Sequence, residues 1–525
     1  MGRLYIMLTK HNSIMKKCLF ISFCVCLGEF LFAQNTFVSG FQSPGEHVWS
    51  DSVNIVGDVY FPPQSTLNIL PGTTIIISDT FIIESKGVVL AKGINSNPIL
   101  FTVADTLGFH SPYTHSGGWK GFHLNSSSIT PTDSSVFDYC HFYFAKNLNS
   151  GGALSIKNYK SIRVSHSLFT FNSAYSGGGF YADSIQNAQV LNCTFSNNQS
   201  FGGGAALHWG AQIWGKISNS LFFKNKAEFL SPQGNDMFFS STSAVYIDLN
   251  HDTASVLRFV NNRVFANSVK AGVLIRRVQL VMNNCIIANN KHIGALIESG
   301  NILIPDLFNI YRQAISNCIF YKNGSFGLNI ENQFLKVSNS IFAKNTHEGY
   351  GGQIVVNSPN YLSRTSFTYN MVQYGINTPL YYQDTTYYDI PVFFDDNLEI
   401  GLDTNVVHAD FHLVNMGIDW GAKDTSGLFL EPYDLSGNKR VVKQVDVGVY
   451  EDQLGLGVQD YSASSTLYVN EYGQICGLEE NESFLLANAQ GAILGQLNLA
   501  NLPSGIYIVL GSSHHKNQKI LWIKK

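Results

Sequence analysis

A short motif, Phe-x-x-Asn, recurs roughly every 25 residues and constrains this chain more than any other feature. It appears as Phe144…Asn147, Phe169…Asn172, Phe195…Asn198, Phe222…Asn225, Phe320…Asn323, Phe342…Asn345 and Phe367…Asn370, with apolar replacements at Val264…Asn267 and Ile286…Asn289. A glycine pair or Gly-small pair usually follows the Asn, as in Gly151-Gly152-Ala153, Gly177-Gly178-Gly179, Gly202-Gly203-Gly204 and Gly294-Ala295. A fixed period of this length means a solenoid in which each copy is one coil stacked on the last. The residues around the motif alternate between apolar and polar, the period of strands. The Phe position faces inward, because only an interior stack needs the same large apolar group in every coil. The Asn is expected at a sharp bend that needs positive φ, with stacked Asn side chains hydrogen-bonding along the coil axis. The glycines are expected at a second corner where backbone packs against backbone. A leucine-rich repeat is excluded, since there is no Leu-x-x-Leu-x-Leu framework and little helical periodicity.

Phe-x-x-Asn with Gly-Gly-Ala-Leu resembles the repeats of right-handed parallel β-helices, those of chlamydial polymorphic membrane proteins and of pectate-lyase-like proteins. The run Val56-Gly57-Asp58-Val59 through Pro71-Gly72-Thr73, then Trp119-Lys120-Gly121-Phe122, resembles the opening coils of secreted bacterial β-helices. Asp434-Leu435-Ser436-Gly437-Asn438, then Asp446-Val447-Gly448-Val449-Tyr450-Glu451, resembles their closing segment. The expected fold is therefore all-β: a right-handed parallel β-helix solenoid followed by a small C-terminal β-sandwich. The resemblance is specific for fold and weak for function.

Two intervals between motifs are long: Asn225 to Asn267, and Asn289 to Asn323. The first is read as holding an extra, degenerate coil around Ser243–Asp248, and the second a loop around Ile302–Tyr311. The domain reading is a signal peptide at 1–33, an N-terminal cap at 34–54, the β-helix with its closing segment at 55–451, a linker at 452–465 and a final module at 466–525. In the leader, Lys16-Lys17 precedes an apolar run ending at Ala33-Gln34, where cleavage is expected, and translation is read as starting at Met15. The final module carries Leu502-Pro503-Ser504-Gly505-Ile506-Tyr507 and ends in Lys524-Lys525. It resembles the C-terminal sorting domain of the type IX secretion system of Bacteroidota, although the usual Pro-Asn-Pro is replaced by Leu467-Tyr468-Val469-Asn470.

Charged residues are only 13% of the chain and the formal net charge is −4, which argues against a nucleic-acid surface. Beyond the leader no tract is long and apolar enough to span a membrane. Five cysteines remain after the leader, Cys140, Cys193, Cys285, Cys318 and Cys476, an odd count without close pairs and so neither a disulfide framework nor a metal site.

A polysaccharide lyase or hydrolase on such a scaffold needs clustered carboxylates, with calcium or basic groups for a lyase. One outward column, Lys157, Asp183, Arg276, Glu298 and Glu331 with His208 less securely placed, invites that reading. Its alternating signs fit better a ladder of opposite charges between coils. Asp395-Asp396 to Asp424 lacks EF-hand spacing. No catalytic residue, metal or cofactor is assigned. Candidate ligand-binding residues are His208, Trp209 and Trp214 near a bend and Tyr381, Tyr382, Tyr387 and Tyr388 in a Tyr-rich loop, whose rings can stack on sugars or shield the solenoid. The expectation is a secreted or surface-displayed monomer, exported by type IX machinery, that binds a glycan or another surface. The alternative is a polysaccharide-active enzyme, lyase before hydrolase.

Overall fold

The computed structural model describes residues 35–452, apart from 112–113, 127–133, 211–213, 228, 231–235, 238–241, 250–255, 299–312, 332–334, 348–349, 358–364, 374–382, 385–409 and 414–416, together with strands inside 468–524. The chain divides into two compact units, Met1–Gly457 and Val458–Lys525.

The first unit is a parallel β-helix. Its strands form three long parallel ladders, here sheets A, B and C, visited in that order in every coil. In one coil, Ile162–Ser165 lies in sheet A, Leu168–Thr170 in sheet B and Phe180–Asp183 in sheet C. Each strand pairs in register with its counterpart one coil on: Val164 with Val190, Phe169 with Phe195, Leu154 with Phe180. The inward residues of all three sheets form one core, and Phe101, Phe142, Phe169, Phe195 and Phe222 are stacked through it. Successive ring centroids lie 4.6, 4.8, 4.7 and 5.0 Å apart with nearly parallel planes. That spacing equals the interstrand distance, so stacking follows from one ring per coil at a fixed register. After Val264 and Ile287 the stack resumes with Phe320 and Phe342, at 4.7 Å.

Three motif copies are displaced from this register. Phe142, not Phe144, pairs with Phe169; Phe144 instead takes φ of 55° at the corner. The inward residue near 286 is Ile287. Phe367 belongs to sheet A, where it pairs with Val337.

The ladder Asn, which in the coil of Ile287 is Asn290 and not the motif's Asn289, is not the residue of positive φ. That role falls to its predecessor: Phe171, Asn197, Lys224, Ala266, Asn289, Lys322 and Lys344, with φ of 48–57°. The left-handed residue turns the chain, which aims the following Asn inward and along the axis. Asn198 donates Nδ2 to Phe169 O in the previous coil (2.9 Å) and to Asn225 Oδ1 in the next (3.0 Å). The same bonds link Asn172, Asn198, Asn225, Asn267, Asn290, Asn323 and Asn345. Gln353 ends the ladder by accepting from Asn345 Nδ2 at 2.8 Å. Glycines make room for it: a Cβ on Gly294 would lie 2.8 Å from Asn323 Nδ2.

Coil length along the ladder varies freely, at 26, 27, 42, 23, 33 and 22 residues. The 42-residue interval is one coil, not two. Leu207 pairs with Val245 in sheet C while Phe222 pairs with Val264 in sheet B, so the surplus is insertion. The loop expected around 302–311 lies outside the described residues. The first coil begins at Asn35, paired in parallel with Ser52–Phe61, inside the stretch read as a cap.

After the last coils the chain returns along the flank of sheet B. Outward residues there are apolar from Phe265 onward, and Ile286, Ile319, Ile341 and Met371 are buried against Phe411, Val447 and Val449. In the second unit, Phe484–Asn488, Ile493–Gly495, Gly505–Gly511 and Lys519–Lys524 form an antiparallel sheet, beside a two-stranded ladder of Tyr468–Val469 and Ile475–Cys476.

Candidate functional site

Polar side chains concentrate on the outer face of sheet C. Alternation fixes which residues appear there: Leu154 and Ile156 enter the core, so Ser155 and Lys157 face out. Register then stacks Asn125, Lys157 and Asp183, and separately Asp248, Arg276, Glu298 and Glu331.

The predicted column thus exists, but its pairing differs. Arg276 is ion-paired with Glu298. Lys157 and Asp183 are register partners, yet among the described residues they form no ion pair. Lys157 instead places its ammonium over the Tyr181 ring, 5.2 Å from the centroid, a contact that keeps part of its hydration. Glu298 and Glu331 are like-charged neighbours, so the alternation ends there. The sequence column also omitted Asp248, which accepts from Tyr246 Oη (3.0 Å) and is ion-paired with Arg277.

His208 lies in the neighbouring outward row, stacked between Tyr181 (4.9 Å) and Tyr246 (4.7 Å). Its Nδ1 is 2.5 Å from Ser176 Oγ. Gly203 makes this seat, since a Cβ there would come within 2.4 Å of both atoms. Burial pulls the His208 pKa down to about 4, so the ring is neutral. Trp209 points inward and is 1% exposed, leaving no face for a ligand. Trp214 is 50% exposed at the start of a sheet A strand. Tyr381, Tyr382, Tyr387 and Tyr388 lie outside the described residues, as do Ala33 and Gln34.

A cleft of about 440 Å³ lies at the N-terminal end of this face. Its walls include His115, Lys120, His123, Asn125, Asn147, Asn149, Ser155 and Lys157. Its described lining carries two ammonium groups, two imidazoles and several amides, with no carboxylate. His123 Nε2 is 3.0 Å from Lys120 O and 3.3 Å from Asn147 Nδ2, so it donates to the carbonyl in one tautomer and accepts from the amide in the other. Burial chiefly, and the Lys157 charge as well, lower the His123 pKa to about 4 against the pull of the Lys120 and Gly151 carbonyls. The wall bearing His115 is pinned by Lys146, which is 2% exposed and donates Nζ to Gly108 O (3.0 Å) and Ser116 O (3.1 Å).

Sequence reasoning reaches only Lys157 of this cleft. A signal is available, because stepping the Lys157 column back one coil reaches Asn125 and, two residues earlier, His123. The other walls come from the stretch around Trp119 and from the strand Lys146–Ser150, which contains the first motif Asn. Among the described residues no group of three His, Cys, Asp or Glu is placed to hold a metal ion. Nor is any helix long and apolar enough to cross a membrane.

No family model matches the chain. A metabotropic glutamate receptor-like protein R from Dictyostelium discoideum is 30% identical over 196 residues, 36% of this chain. The match spans only 11% of that protein's length. Among solved structures, a single-substitution mutant of the periplasmic alginate epimerase AlgG is similar, at 13% identity over 66% of this chain and 78% of its own, with a TM-score of 0.30. A double mutant of the same epimerase gives 12% identity, 61% and 77% coverage and a TM-score of 0.25.

Proposed function

We propose that this is an exported β-helix protein that engages an acidic polysaccharide at the N-terminal cleft of sheet C. The observation that carries the proposal is the cleft's chemistry: Lys120 and Lys157 beside two imidazoles and side-chain amides, without a described carboxylate. Ammonium groups neutralise a uronate or sulfate, while Asn and Ser side chains hydrogen-bond ring hydroxyls. A glycan array holding neutral, uronate-bearing and sulfated polymers tests it. Binding restricted to acidic glycans, and weakened by salt, is expected. Retention of neutral glycans alone overturns it.

A second reading, a polysaccharide-active enzyme, has a specific observation in its favour. His123 is held neutral beside Lys157 in the same cleft. A lysine neutralising a uronate carboxylate raises the acidity of the adjacent C–H, and a neutral imidazole can accept that proton. Lyase-type elimination then forms the C4=C5 double bond as the glycosidic C4–O bond breaks, the departing oxygen taking its proton from water. Hydrolysis needs two carboxyl groups, and the described cleft lining has none. Unsaturated products from an acidic polymer, abolished in His123→Gln, would establish the enzyme reading.

Export by the type IX route is supported by the Leu502–Tyr507 pattern and by the antiparallel sheet that contains Gly505–Gly511. Deleting 466–525 is expected to retain the protein in the periplasm with its solenoid folded. Continued surface delivery would refute the sorting role.

A further inference from the structure

We propose that the returning segment 417–452 is a proton-dependent clamp, closed on the solenoid while Asp446 and Glu451 hold protons and loosened as they ionise. The segment covers the outward apolar strip of sheet B, where Ile286, Ile319 and Ile341 are buried against Val447 and Val449. It is fastened by the side chains of the left-handed Asn residues at the sheet A–B corner. Asn317 Nδ2 donates to Asp446 O (2.9 Å) and Gly448 O (3.1 Å). Asn339 Oδ1 accepts from Ala422 N (2.8 Å), and Asn284 Oδ1 accepts from Arg440 Nη2 (2.5 Å).

The same stretch carries the most heavily buried charge in the described solenoid. Asp434, Arg440, Asp446 and Glu451 are each at most 5% exposed. One guanidinium faces three carboxyl groups; Glu451 is 3.7 Å from it. Asp419 and Asp452 add negative charge beside Asp446. The remaining facing groups are the Cys318 thiol beside Arg440, and, around Tyr450, Arg263 and the Asp410–His412 pair. With every carboxyl ionised, the cluster of four would hold a net charge of −2 away from water, an expensive arrangement. Backbone N–H groups favour the ionised forms: Val442 N and Asp446 N donate to Glu451, and Asp419 N and Asp452 N to Asp446. Burial and like charge outweigh them, raising Glu451 to about 8 and Asp446 to about 6.

The sign follows from linkage. A released clamp returns these carboxyls to ordinary values near 4. The closed state therefore binds protons more tightly. Its advantage is fully present below the ordinary value and is lost as pH rises from about 4 to about 8. At neutral pH Asp446 has largely ionised and Glu451 has not, so mild alkali acts through Glu451.

Hydrogen exchange of the whole protein, corrected for the intrinsic pH dependence of exchange, tests this. Amides of 417–452 are expected to lose at least tenfold of their protection, relative to those of 154–209, between pH 6 and pH 9. Glu451→Gln is expected to retain protection at pH 9. Arg258→Ala, which removes the ion pair to Glu431 outside the cluster, is expected to keep the wild-type pH profile. A protection ratio that does not change with pH in the wild type overturns the clamp. So does a Glu451→Gln protein with the wild-type profile.

Discussion

At the residue scale, the account rests on a division of labour within Phe-x-x-Asn that is only partly legible in sequence. The inward Phe is legible, because alternation and repetition both demand it. The left-handed turn is not, and its assignment to the motif Asn holds at Asn289 alone among the described copies. Asn is the type most tolerant of positive φ, and the motif hides that Lys224 or Phe171 can occupy that position when the following Asn is buried. Where Asn does take positive φ is the preceding corner, three residues before the Phe: Asn192, Asn219, Asn317 and Asn339. Asn225→Ala is expected to destabilise by about 2–4 kcal/mol, because Phe195 O and Asn198 N are left buried without partners. Phe195→Ala is expected to cost about 3–5 kcal/mol through the cavity left in the stack. Urea unfolding measures both. The histidines predict acid sensitivity. Their folded pKa values, about 4 at His123 and His208, lie below the ordinary 6.5. The stability they contribute is therefore present above pH 6.5 and lost as pH falls towards 4. His208→Gln should flatten that part of the thermal stability profile; an unchanged profile would mean another group is responsible.

At the element scale, coil length and coil register are independent. Insertions leave at the corners, while sheets A, B and C keep their pairing across coils of 22 to 42 residues. For that reason a gap in the motif period cannot distinguish an extra coil from a loop, and the 42-residue interval reads in sequence as two coils where the fold has one. The returning segment illustrates a second limit. Outward apolar residues at Phe265, Ile286, Ile319 and Ile341 break the alternation that sequence reading relies on, because another part of the chain covers them. Arg440 ties that cover to the coils through Asn284 Oδ1 and holds the cover's own Gly448 O and Val449 O. Arg440→Ala should destabilise the solenoid by about 3–5 kcal/mol, since it strands buried carboxylates, and should raise binding of a hydrophobic dye before global unfolding.

At the scale of the whole molecule, a β-helix presents residues in columns, so a functional face is set by register and not by proximity in sequence. His115 and Lys120 reach the cleft from the stretch around Trp119, and Asn147 and Lys157 from two strands, and no local pattern joins the four. In the column that sequence does reveal, Arg276 and Glu298 are occupied by mutual ion pairing. The cleft differs in having ammonium groups without described carboxylate partners. Replacing both lysines, Lys120→Ala with Lys157→Ala, should weaken an acidic oligosaccharide by at least tenfold while leaving the melting temperature nearly unchanged, because neither ammonium closes an ion pair among the described residues. The most direct measurement is a crystal structure of the protein with a bound uronate oligosaccharide. The account predicts sugar carboxylates on Lys120 and Lys157, with ring hydroxyls on Asn125 and Asn147. An oligosaccharide bound elsewhere on the solenoid, with this cleft holding only water, would contradict it.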